Sequence, residues 1–171
     1  MRIVLAVHHF PPRYLGGAEW RAYRTAKALQ AHGHSVNVIC VEYIDRSPAQ
    51  GVGWRDDVYD QVPVRRLSFN LSAAPDPFRW EYDNVWIGDH LAGFLREQRA
   101  DVFHLICGYL MTGRAITTAK ALGVPTVVSL TDFWFFCRRI TMLRSDGRLS
   151  HFPINPVDCA RCLGEERRRY V

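Results

Sequence analysis

The chain has 171 residues, 22 Lys+Arg against 17 Asp+Glu for a formal charge of +5, and 48% hydrophobic residues. That balance excludes wholesale disorder, and no segment approaches the roughly 18 consecutive apolar residues of a membrane span. The length suits one domain. The basic residues are 20 Arg and 2 Lys, and residues 138–171 hold eight Arg and four acids, so the charge is concentrated at one end. A uniformly basic nucleic-acid binder is a poor fit, and no nucleic-acid partner is expected. The basic tail reads as a solvated, partly helical surface, or as a patch for an anionic membrane or a partner. Met1 to Val7 is too short an apolar stretch for a signal sequence, which makes the cytoplasm the expected compartment.

Residues 2–7 form a nearly continuous apolar run, the pattern of a strand covered on both faces. A loop from His8 to Gly17 breaks it with Pro11-Pro12 and Gly16-Gly17. Ala18 to Ala31 then carries a helical stripe of Ala18, Ala22, Ala26 and Leu29, stopped by Gly33. Ser35 to Val41 is a second β-branched strand. Residues 43–57 read as a surface loop, and Val58 to Leu67 as an extended segment despite Pro63. Ser68 to Pro77 is a turn-rich connection. The spacing of Tyr82, Trp86, Leu91, Phe94 and Leu95 predicts one helix over 78–99, followed by a strand over 102–106, a helix over 114–122 and a strand over 125–130.

This alternation predicts an α/β fold with a Rossmann-like, doubly wound parallel sheet over residues 1–136. Beyond it, 137–171 reads as an irregular, Cys-containing excursion running into a charged helix from Gly164. That helix lacks a stop signal, so the chain is expected to continue into a longer protein, although an exposed, frayed natural terminus reads the same way. In doubly wound sheets ligands sit beyond the carboxyl ends of the strands, which directs attention to the loops after residues 7, 41, 106 and 130. Gly16 and Gly17 at a helix start would let phosphate reach free amides, or they serve as a plain turn device. The ten-residue loop with adjacent glycines does not match the Gly-x-Gly-x-x-Gly turn of nicotinamide enzymes.

His9-Phe10-Pro11-Pro12, Gly16-Gly17-Ala18-Glu19, and Leu29 through Gly33-His34-Ser35-Val36 occur in that order. Asp101-Val102-Phe103-His104, Gly123 to Val128 and Thr131-Asp132-Phe133-Trp134 follow. This ordered set resembles the amino-terminal half of family 4 glycosyltransferases of the GT-B fold. The resemblance implies an acceptor-side domain of a retaining enzyme, facing a carboxyl-terminal domain that binds the nucleotide-sugar donor. It further implies that Gly16 and Gly17 lie near the donor diphosphate and that a sugar or glycolipid is the acceptor. His9, His104, Tyr109, Thr131 and Asp132 are then cleft candidates. For His104 and Asp132 a satisfied strand-face histidine and a turn residue are equally available readings. Where many relatives place a His-Asp pair this chain has Thr131-Asp132, and threonine carries no proton near neutral pH. A free-standing binding module with a basic tail is the alternative to an enzyme half.

Cys159-x-x-Cys162 has metal-chelating spacing, and Cys137 and His151 complete a candidate Cys3His set for a structural zinc. Free cysteines are the competing reading. Cys40 and Cys107, at strand ends, are expected to be small core residues.

Overall fold

The structure, a computed structural model, describes residues 1–44, 51–151 and 153–164. They fall into two compact units, Met1–Thr131 and Asp132–Val171. The expectation from sequence put the corresponding boundary after residue 136.

The first unit is built on six strands: β1 (Arg2–Val7), β2 (Ser35–Ile44), β3 (Val52–Tyr59), β4 (Val62–Phe69), β5 (Val102–Leu105) and β6 (Thr126–Val128). Their order in the sheet is β3-β4-β2-β1-β5-β6. All neighbours run parallel except β3 and β4, which form an antiparallel hairpin. Leaving aside β3, the chain therefore winds outward from β1 in one direction to β2 and β4, and in the other to β5 and β6. This is the doubly wound order, and its switch point lies between β1 and β5. The Rossmann-like fold expected from the sequence is the fold observed.

Both faces of the central strands are covered, which is why β1 and β2 read as apolar runs rather than as alternations. On one face Ile3, Leu5, Val7, Val36, Val38, Cys40, Val62 and Val64 pack with Phe10 and with Ala22 and Ala26 of α1 (Gly17–Ala31). The other elements follow in chain order: α2 (Pro77–Trp80), α3 (Val85–Glu97) and α4 (Thr112–Ala121). Ile87, Leu91, Phe94 and Leu95 of α3 are all buried, at a spacing that makes one helical stripe. Burying each such side chain is worth about 1.5–3 kcal/mol.

Three elements differ from the sequence expectation. The stretch 43–57 is not all loop: β2 runs on to Ile44 and β3 begins at Val52, while residues 45–50 of that expectation lie outside the described residues. The charges of β3 hid it, because Asp56 faces Arg65 directly across the hairpin and both are paired there. The two-residue turn Asp60-Gln61 takes positive φ at both positions, the geometry that matches strand twist, without the Asn-Gly signature. The single helix over 78–99 is two, because two side chains each cap a new start. Asp76 Oδ1 accepts from Arg79 N–H and Asn84 Oδ1 from Ile87 N–H.

In the second unit the described residues are irregular from Asp132 apart from one bridge, Leu143 to Leu149, and α5 (Pro156–Gly164). Of the helix expected from Gly164 onward, Gly164 is described as part of α5, and residues 165–171 lie outside the described residues. No helix among the described residues is long and apolar enough to cross a membrane.

Candidate functional site

Since β1 and β5 sit side by side with their carboxyl ends on one rim, the loops that follow them meet there. The first, from His8 to Gly16, leads into α1; the second, from Ile106 to Met111, leads into α4. Tyr109 from the second lies edge-on to His8 from the first, ring centroids 5.7 Å apart.

The first loop is held from three sides. His9 Nδ1 lies 2.7 Å from the carbonyl of Val41, and since a carbonyl only accepts, Nδ1 carries the proton and Nε2 is left as the acceptor. Burial lowers the His9 pKa, outweighing the pull of the Val41 carbonyl, so the ring is neutral near pH 7. Tyr14 stacks on it at 3.8 Å with planes 10° apart. His8 Nε2 meets Glu19 Oε1 at 3.1 Å, while His8 Nδ1 is buried without a partner among the described residues.

Glu19 is the buried acid of the first helical turn. Burial pulls its pKa upward, but the His8 hydrogen bond, its own N–H and the neighbouring imidazoles prevail, and the net shift is downward. Its carboxylate fills the space beside Gly16, where a Cβ would stand 2.5 Å from Oε2. A side chain at Gly16 would therefore have to displace the Glu19 carboxylate. Gly17 differs, since a Cβ there meets nothing within 4 Å.

The third anchor is Arg66, at 2% exposure the largest of the fully buried side chains. Its Nε donates to Asp57 Oδ2 at 2.8 Å and its Nη1 to Glu42 Oε2 at 3.1 Å. Nη2 donates to the carbonyl of Pro11 at 2.6 Å, and Nη1 reaches that of Phe10 at 3.4 Å. A residue of β4 thus binds β2, β3 and the loop together, and satisfies carbonyls that two successive prolines give no local N–H to pair with. Sequence reasoning missed Arg66, Glu42 and Glu19. The available signal was a pair of arginines inside an otherwise apolar strand, since an arginine is almost never fully buried without carboxylate partners.

The other expected site residues are placed variously. His104 stands on β5 with Nε2 2.9 Å from Ser129 Oγ, and burial, with the charge of Arg21, lowers its pKa. Thr131 donates to the carbonyl of Ile106 at 3.2 Å, fastening the segment after β6 to the end of β5. Asp132 belongs to the second unit, where its Oδ1 accepts from Trp134 N–H at 2.9 Å in a local turn.

Among the described residues no group of three or more His, Cys, Asp or Glu side chains is suited to a metal ion, so Cys137, His151, Cys159 and Cys162 are not gathered as a zinc set. Cys159 and Cys162 lie on α5, and the Cys162 sulfur instead accepts from Ser145 N–H at 3.3 Å, with Arg139 Nη1 at 3.8 Å. The donors as arranged do not fit a closed zinc centre. Cys40 is wholly buried and its thiol is pushed up to about 12, chiefly by burial; with Cys107 it belongs to the core, as expected.

Among curated proteins none matches the chain. A family model described as a glycosyl transferase 4-like domain matches residues 16–152, from the first glycine of the helix start through both strands that follow the switch point and into the second unit. That span is well over half of the sequence, and the chain belongs to the glycosyl transferase 4-like family.

Proposed function

We propose that this domain is the acceptor side of a retaining glycosyltransferase, and that transfer requires a second domain carrying a nucleotide-sugar donor. The observation that carries this reading is the open helix start at Gly17, set on the rim at the switch point of a doubly wound sheet within a glycosyl transferase 4-like domain. In the reaction, the amides there meet the donor diphosphate and stabilise the charge that builds on the leaving group as the glycosidic bond breaks. Gly16 has a different task, making room for the Glu19 carboxylate. The neutral His9 and the His8–Glu19 pair hold the loop in shape, and the acceptor enters beside it.

The test compares the 171-residue chain, alone and joined to a donor-binding domain of the same family, for sugar transfer from nucleotide-sugar donors. Transfer is expected only in the joined form, since groups on both sides of a cleft are needed to favour the transition state. Efficient transfer by the chain alone, or none from any donor when joined, would overturn the reading.

A further inference from the structure

Among the described residues several arginines are paired with carboxylates, Arg2, Arg65, Arg66, Arg114 and Arg144 among them. Arg13 is different. It lies on the first loop at the functional rim, is exposed, and among the described residues has neither an ion pair nor a hydrogen bond. Its guanidinium carbon instead lies over two rings, 5.5 Å from the centroid of Tyr14 and 5.7 Å from that of Tyr43. Tyr14 is in turn stacked on His9, which is fixed by the Val41 carbonyl. Tyr43 comes from the carboxyl-terminal end of β2.

Among the described residues, the carboxylates of this part of the rim are already engaged. Glu19 pairs with His8, and Glu42 and Asp57 with Arg66. Two aromatic rings therefore brace a positive charge that no acid among them neutralises. A guanidinium held through its π-face keeps its N–H donors, which lie in its plane, for another partner. That fork matches the oxygens of a carboxylate or phosphate, and bracing removes part of the ordering cost of binding one.

We infer that Arg13, braced by Tyr14 and Tyr43, recognises an oxyanion on the acceptor, so that the domain selects acidic acceptors, sugars bearing a carboxylate or a phosphate, over neutral ones. This rests on the reading that the rim receives the acceptor. The same chemistry could come from the donor diphosphate, and the test separates the two sources.

The 171-residue chain is titrated with glucuronate, glucose 6-phosphate, glucose and uridine diphosphate while the arginine Nε–H resonances are followed by NMR, with Arg13 assigned by its loss in Arg13→Gln. Glucuronate and glucose 6-phosphate are expected to move the Arg13 resonance, with glucose leaving it in place. Arg13→Gln should weaken binding of the two acidic sugars about tenfold. Tyr14→Leu/Tyr43→Leu keeps the charge and removes the brace, and should weaken it several-fold. A thermal melt close to that of the parent confirms that each exposed-site variant folds.

Equal response to glucose and glucuronate, or acidic-sugar affinity unchanged in Arg13→Gln, would overturn the inference. So would a stronger response to uridine diphosphate than to either acidic sugar, which would assign Arg13 to the donor. If the acidic sugars bind through Arg13 but no transfer occurs in the joined enzyme, the oxyanion site stands and the glycosyltransferase reading falls.

Discussion

Replacing Arg66 by Met removes one guanidinium and leaves its partners stranded to different degrees. Asp57 is 33% exposed at its side chain and regains water; Glu42, at 11%, does not, and keeps only Arg55 at 3.8 Å. Breaking a buried pair so that one charge is left uncompensated costs about 3–5 kcal/mol. The carbonyl of Pro11 loses a 2.6 Å hydrogen bond, which adds about 1–3 kcal/mol unless water enters. Against a total stability of about 5–15 kcal/mol, a loss of about 4–8 kcal/mol is severe. With a urea slope of about 2 kcal/mol per molar, the unfolding midpoint should fall by about 2–4 M. The double variant Arg66→Met/Glu42→Leu removes the stranded charge and should recover more than half of the loss, because apolar replacement of a whole buried pair is often neutral. Urea titration followed by tryptophan fluorescence measures both. A single-variant cost below about 1 kcal/mol, or a double variant worse than the single, would refute the claim that Arg66 anchors the first loop through its charge.

The two adjacent glycines should respond with opposite signs. Gly16→Ala must displace the Glu19 carboxylate and should cost about 1–3 kcal/mol by urea titration, whereas Gly17→Ala, inside the helix with open space around it, should raise stability by up to about 1 kcal/mol. His9, His90 and His104 all have pKa values lowered by burial, with Arg65 adding to the effect at His90 and Arg21 at His104. Below an imidazole pKa of about 6.5 the unfolded chain therefore binds more protons than the folded one, and stability should fall as pH drops from 7 toward 5. Thermal melts across that range should show the slope, and a melt in His104→Gln should show less of it; a flat profile in the parent would count against burial as the cause.

The sheet was legible in the sequence wherever strands are buried on both faces, as in β1 and β2, because burial on both sides enforces an apolar run. It was not legible in β3, whose residues are chosen to pair with the arginines of β4 and whose partner lies across a turn with no Asn-Gly mark. Long periodicity hid the break at Asn84, since Tyr82 and Trp86 keep helical spacing on either side of a cap. At Gly16-Gly17, sequence could not separate a glycine whose side-chain space the Glu19 carboxylate fills from one with open space beside it. That distinction depends on where a side chain three residues away folds back. Arg66 was invisible for a related reason: its partners come from residues 42 and 57 and from a loop more than fifty positions earlier.

The hairpin strand β3 ends the sheet on one side. An end strand offers a row of free backbone groups to any other extended chain, and long apolar end strands are where sheets polymerise. Here the strand carries Gly53, Arg55, Asp56 and Asp57 in the middle of its length. A foreign strand laid against it would have to bury three charges that are at present satisfied by salt bridges and water. The arginine pairs that fix the hairpin thus also make this margin a poor template for aggregation, so that a variant stripped of Asp56 and Asp57 to simplify the ion network would lose solubility together with stability.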